Sequence, residues 1–97
     1  MTTDVQVIHN EAANRFEINI DGKIAHADYT KGSGGNTLVF THTEVPEEFE
    51  GHGIGGKLAR TALEYAKANN LRVQPLCPFI RAYIERHPEY QHLSTAY

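Results

Sequence analysis

Gly51, Gly53, Gly55 and Gly56 crowd the run Val45-Pro46-Glu47-Glu48-Phe49-Glu50-Gly51-His52-Gly53-Ile54-Gly55-Gly56-Lys57-Leu58. Without side chains at those positions the backbone is bare, and several N–H groups can turn the same way. An extended apolar segment precedes the run and a helical pattern follows it. A helix N-terminus behind such a bend adds unpaired N–H donors and a partial positive charge. That chemistry suits an anion, best a phosphate or pyrophosphate. Cys77 is a second reactive candidate. It lies between Pro75 and Pro78, just after a short strand and just before a helix. A helix N-terminus makes a thiol more acidic and a thiolate is a strong nucleophile. The competing reading is a small buried hydrophobe. His42 and Glu44 form a third group. With period 2 they share a strand face with Leu38 and Phe40. The competing reading is a surface His beside a surface Glu. His9, His26, His87 and His92 show no metal-ligand spacing, so no metal is expected.

Three loop types compete for the glycine run. Gly51-His52-Gly53-Ile54-Gly55-Gly56 fits the dinucleotide pattern G-x-G-x-x-G, and Gly51 to Lys57 fits most of the Walker pattern G-x-x-x-x-G-K. The Walker loop needs Ser or Thr after its Lys to hold magnesium, and Leu58 stands there. The dinucleotide fold needs an acid on the next strand to bind the ribose. Leu71 to Pro78 contains none. Both folds also need several parallel βαβ units, and 97 residues with the loop at mid-chain leave no room for them.

The third pattern fits better. Glu50-Gly51-His52-Gly53-Ile54-Gly55, preceded by Val45-Pro46, resembles the Gln/Arg-x-x-Gly-x-Gly/Ala loop of the general-control-type N-acetyltransferase (GNAT) superfamily. The likeness continues through Ala59, Leu63 and Ala66. The spacing of His42-Thr43-Glu44-Val45, the loop and Pro75-Leu76-Cys77-Pro78-Phe79 is similar to the short single-domain members, and the likeness covers roughly residues 5–93. Glu50 departs from the family's Gln or Arg. A carboxylate there repels a pyrophosphate, so Glu50 must turn away or pair with a cation.

The resemblance implies an acetyl-CoA-dependent N-acetyltransferase whose acceptor is an amine, either small or a protein Lys or N-terminus. It implies that the fourth strand splays from the fifth and that pantetheine pairs with its end, at Thr43 and Val45. Gly51, His52, Gly53, Ile54, Gly55, Gly56 and Lys57 would take the pyrophosphate, His52 by a hydrogen bond. Arg81 and Arg86 are candidate contacts for the adenosine 3′-phosphate. In the family a motif Asn-x-x-Ala-x-x-Leu-Tyr follows the fifth strand. Its Asn touches the cofactor and its Tyr protonates the leaving thiolate. Anchored on Glu85-Arg86, the motif sets Ile84 on the Tyr and Cys77 on the Asn. The usual acid is then missing, with Tyr83 one place off. Cys77 would accept the acetyl group or protonate the departing CoA. His42 would deprotonate the acceptor, oriented by Glu44. Two other readings stay open: a CoA-binding protein with little or no turnover, and a domain that holds ATP in the same loop. Leu58 argues against the second. The last strands of the larger enzymes are missing from the pattern, which leaves the acceptor pocket open.

The elements that must position these residues can be read in order. Val5 to His9 is a first strand. Arg15 to Ile20 alternates, with Phe16, Ile18 and Ile20 on one face. Asp21-Gly22 is a two-residue hairpin signal. The return strand, Lys23 to Tyr29, sets Ile20 against Lys23, and Ile18 and Phe16 against Ala25 and Ala27. Lys31 to Asn36 is a loop, and Thr37 to Val45 is β-branched enough for a central strand. Ile54, Leu58, Ala59, Ala62, Leu63 and Ala66 then make a helical stripe, which Asn69-Asn70 ends. Arg72 to Pro75 is a short strand. Pro78 opens a second helix to Arg86, and Pro88 stops it. The order β-β-β-β-α-β-α predicts an α+β domain, a mainly antiparallel sheet with helices packed on it. The resemblance sharpens this to a GNAT-like core.

Composition narrows the partners. Residues 1–97 suffice for one domain with one modest core. The net charge is −3, from 9 basic and 12 acidic residues, without a basic cluster, so no nucleic-acid partner is expected. Met1 to Val5 lacks a signal pattern and no apolar run could span a bilayer, so no membrane role is expected. One cysteine excludes an internal disulfide and a Cys-rich zinc site. The simplest location is a reducing cytoplasm.

Overall fold

Alternating apolar residues and one tight turn build the first half of the sheet. The computed structural model describes residues 6–96, the side chain of Ser33 excepted. Its strands are β1 (Ile8–Asn10), β2 (Arg15–Ile20), β3 (Lys23–Lys31), β4 (Thr37–Glu44) and β5 (Arg72–Pro75), and its helices are α1 (Ile54–Ala68) and α2 (Pro78–Arg86). Asp21 and Gly22 both have positive φ, 51° and 80°, as the turn requires. Phe16 pairs with Ala27, Ile18 with Ala25 and Ile20 with Lys23, in the expected register. β3 runs two residues past the expected Tyr29. β1 starts at Ile8 rather than Val5, which lies outside the described residues. Asn10 ends it by accepting the Ala13 N–H at 3.1 Å.

The five strands lie in the order β1-β2-β3-β4-β5, antiparallel except for the β4–β5 pair. Every second residue from Phe16 to Ile20 and from Ala25 to Tyr29 is buried. Phe16, Ile18, Ile20, Ala25, Ala27 and Tyr29 form the floor of the core. The apolar stripe of α1 packs across β2 to β5, and Ile80 and Ile84 of α2 join the same core. The other face carries Glu17, Asn19, His26 and Asp28, and no helix covers it among the described residues. No described helix is long and apolar enough to cross a membrane.

Pro88 ends α2, as its ring and missing N–H dictate, and the chain then turns through a 3₁₀ segment, Pro88–Leu93. Tyr90 anchors that segment by donating its hydroxyl to Glu64 Oε2 at 2.7 Å. Burial first, and that hydrogen bond second, push the Tyr90 hydroxyl up to about 12. The chain continues alongside β5. Thr95 N–H donates to Val73 C=O at 2.8 Å, and Arg72 donates to the carbonyls of Leu93 and Ser94 at 3.2 and 3.1 Å.

His9 ties β1 to this core. Its Nε2 lies 2.6 Å from the Tyr29 hydroxyl, and its ring stacks on Phe16 at 4.1 Å. Burial holds the imidazole below its ordinary value of 6.5. The native state therefore binds fewer protons than the unfolded chain just below that pH, so stability rises with pH there. Thermal midpoints should be highest above pH 6.5 and fall as the pH drops through the folded value of His9. His9→Phe should flatten that part of the profile. An equally steep profile in the variant refutes the assignment.

Candidate functional site

β4 and β5 run together only from Thr37–Arg72 to Phe40–Pro75. Pro75 ends β5, and Cys77 N–H then donates to Phe40 C=O at 2.9 Å. β4 continues to Glu44 with β3 on one side and no strand on the other among the described residues. Thr43, near the end of this unpaired stretch, and Val45 just after it line a cavity of about 400 Å³. The glycine loop closes one end. Phe49 and Phe79 line the cavity as well.

Gly51 and Gly53 have φ of 85° and 77°. A Cβ at either would meet no atom within 4 Å, so the left-handed backbone requires glycine there and space does not. Gly53 is the N-cap of α1, and no described side chain caps that helix. The first helical bond runs from Lys57 N–H to Gly53 C=O at 3.0 Å. Ile54, Gly55 and Gly56 precede it and line the cavity, and first-turn N–H groups such as theirs, lacking a partner within the helix, are donors for an anion. Gly55 differs from the other two. Its φ is ordinary, but a Cβ would stand 2.7 Å from Phe79 Cζ, so it makes room for an aromatic ring.

Of the residues expected at the cofactor, Thr43, Val45, Gly51, Gly53, Ile54, Gly55 and Gly56 line the cavity. His52 and Lys57 are exposed and do not line it. Glu50 does line it, and no ion pair of Glu50 occurs among the described residues; Lys23 pairs with Glu48. Arg81 and Arg86 are exposed on α2, away from the lining. Phe49 and Phe79 are additions that the sequence reading missed. An aromatic residue directly after the helix-opening Pro78 was the available signal for Phe79.

Cys77 is 4% exposed and donates its thiol to Thr43 Oγ1 at 3.3 Å. Thr43 thus joins the cysteine to the cavity wall. Ile84, on the position of the family's acid, is fully buried. Tyr83 stacks on His87 at 3.9 Å. Burial pushes its hydroxyl up.

The expected common face of Leu38, Phe40, His42 and Glu44 does not form. Tyr29 pairs with Phe40 but Asp28 pairs with His42, which leaves Thr41 as an extra residue in β4. A bulge of one residue reverses the in–out alternation beyond it. Thr43 therefore turns to the helix side, and His42 and Glu44 turn to the open face, 57% and 63% exposed. There His42 Nε2 lies 3.4 Å from Glu44 Oε1, and His26 Nδ1 lies 2.8 Å from Asp28 Oδ1. Among the described residues no group of three or more His, Cys, Asp or Glu side chains is arranged to hold a metal ion.

Comparison with known proteins agrees with this geometry. The family model for GCN5-related N-acetyl-transferases matches residues 15–93. Protein NATD1 of Gallus gallus is 30% identical over 90 residues, covering 92% of this chain and 82% of the relative. Protein NATD1 of Xenopus tropicalis is 28% identical over 96 residues, covering 95% and 85%. The solution structure of a GCN5-like protein from Staphylococcus aureus superimposes with a TM-score of 0.73 at 28% identity, covering 96% of this chain and 90% of that one. With a sheet that parts beyond Phe40 and a glycine loop at a helix start, the chain belongs to the GCN5-related N-acetyltransferase family.

Proposed function

We propose that the cavity receives acetyl-CoA and that the protein transfers the acetyl group to an amine. One observation carries the reading: an unpaired strand end and an uncapped helix N-terminus border the same cavity. The first offers backbone partners to the pantetheine amides, as a neighbouring strand would. The second offers N–H donors and a positive dipole end to the pyrophosphate. In this reading Thr43 and Val45, which line the cavity, take the pantetheine part, and Gly51, Gly53, Ile54, Gly55 and Gly56 take the pyrophosphate.

In the transfer, a neutral amine attacks the thioester carbonyl. A C–N bond forms, the C–S bond breaks, the amine proton leaves, and the CoA sulfur takes up a proton. His42, beside Glu44, takes the amine proton from the open face of the sheet. Cys77, at the fork of β4 and β5, supplies the proton to the departing sulfur. Binding without turnover is the second reading. It draws on one fact, that His42 and Glu44 face away from the side that holds Cys77.

Titration calorimetry with acetyl-CoA, CoA and magnesium-ATP tests the binding reading. Acetyl-CoA and CoA should bind and ATP should bind poorly, because ATP has no arm to pair with β4. Tighter binding of ATP would refute it. Turnover tests the roles. His42→Gln and Cys77→Ala should each lower the rate with an amine acceptor by about tenfold or more, within the usual span for proton-transfer groups, while leaving the acetyl-CoA Kd nearly unchanged. Normal rates would return both side chains to packing and surface, whereas a wild type that binds acetyl-CoA but acetylates no amine would favour the second reading.

A further inference from the structure

Gly55 sits in the first turn of α1, among the N–H groups that face the cavity, yet it has no backbone need to be glycine. What it makes room for is Phe79. Three ring atoms, Cζ, Cε1 and Cε2, lie 2.7 to 3.3 Å from where a Cβ would be. The ring thus leans directly on the anion-binding turn. It is 38% exposed, a large value for phenylalanine, and it forms part of the cavity wall. Phe79 opens α2 just after Pro78, so the proline sets its direction and the close helix contact at Gly55 sets its position. An apolar surface held beside a phosphate cradle is poorly matched to a phosphate. It is well matched to whatever apolar group is bonded next to one.

Ligands with a diphosphate differ in that next group. Beyond the second phosphate, ATP has a third phosphate and NAD a second ribose, both polar. In CoA the second phosphate continues through one methylene to a quaternary carbon with two methyl groups. We infer that Phe79 is a specificity-determining residue that packs against this gem-dimethyl group and so selects CoA over other diphosphates. The inference rests on the acetyl-CoA reading and adds a discriminating contact to it. Val45 and Phe49 also line the cavity and add apolar surface for the same segment. Gly55 then serves binding twice, through its N–H and through the space it leaves for the ring.

The test compares two ligands that share the adenosine 3′-phosphate 5′-diphosphate end: CoA, and 3′-phosphoadenosine 5′-diphosphate, which lacks the arm. Calorimetry is run on the wild type, Phe79→Ala and Phe79→Leu, each with a thermal melt to establish folding. Phe79→Ala should weaken CoA binding by about tenfold, the effect of uncovering one to two methyl groups, and leave the diphosphate within about twofold. Phe79→Leu should recover most of the CoA affinity, because an aliphatic side chain still covers the methyls. Equal weakening of both ligands in Phe79→Ala makes the ring a support for the phosphate turn and overturns the inference. Unchanged CoA affinity also overturns it. In both cases wild-type CoA binding still stands and so does the functional reading. A wild type that binds neither ligand refutes that reading, and this inference with it.

Discussion

Gly53→Val is expected to lower acetyl-CoA affinity by about a hundredfold while the protein stays folded. Gly53 holds φ 77° and ψ 10° at the N-cap of α1. A β-branched residue is an outlier there, with a strain of about 1–3 kcal/mol. The chain can relieve it by rotating the adjacent peptides, which turns the first N–H groups of α1 away from the cavity. Each hydrogen bond lost to a charged group costs about 1.5–3 kcal/mol, so losing one or two accounts for the expected factor. The new side chain meets no atom within 4 Å of its Cβ, so the core is not disturbed. Calorimetry with acetyl-CoA, beside a circular dichroism melt, measures both halves of the claim. Unchanged affinity in a folded variant removes the pyrophosphate from this loop. Gly55→Val is not an equivalent test, because it strikes Phe79 first.

Phe40→Ala should destabilise the domain by about 3–5 kcal/mol, the usual range for emptying a buried aromatic site. Phe40 is fully buried, with its ring centroid 5.9 Å from that of Tyr29 and 6.5 Å from that of Phe16. It is also the last residue of β4 paired with β5, and its carbonyl receives the Cys77 N–H. Small domains have only about 5–15 kcal/mol in total, so the variant should unfold early in urea. A loss below about 1 kcal/mol, a typical value for ordinary substitutions, would mean that the fork does not depend on this ring.

Local rules explain what was legible. Two-residue alternation and Asp21-Gly22 predict the β2–β3 register because both act between neighbours in the chain. The same holds for the Ile54–Ala66 stripe and for the prolines that bound β5 and α2. The bulge at Thr41 has no such signature. Thr fits any strand position, and only pairing with Asp28 and Tyr29 shows that one residue too many is present. That single residue moved His42 and Glu44 to the other face. Likewise, glycine spacing pointed to the anion loop, but it could not separate Gly53, needed for its backbone angle, from Gly55, needed for the approach of Phe79. That difference depends on how α2 meets α1, a contact between residues 24 apart in sequence.

The segment that runs beside β5 has an effect beyond anchoring the chain's last turn. A bare strand edge is a template on which another chain can add itself, and stacked additions of this kind lead to fibrils. β5 is short, and part of its outer edge is already taken: Val73 C=O is occupied by Thr95, and the Arg72 guanidinium grips the carbonyls of Leu93 and Ser94. The protein thereby guards that border of its sheet with its own backbone. The strand end beside the cavity stays available to a ligand, while part of the β5 edge is closed to another chain.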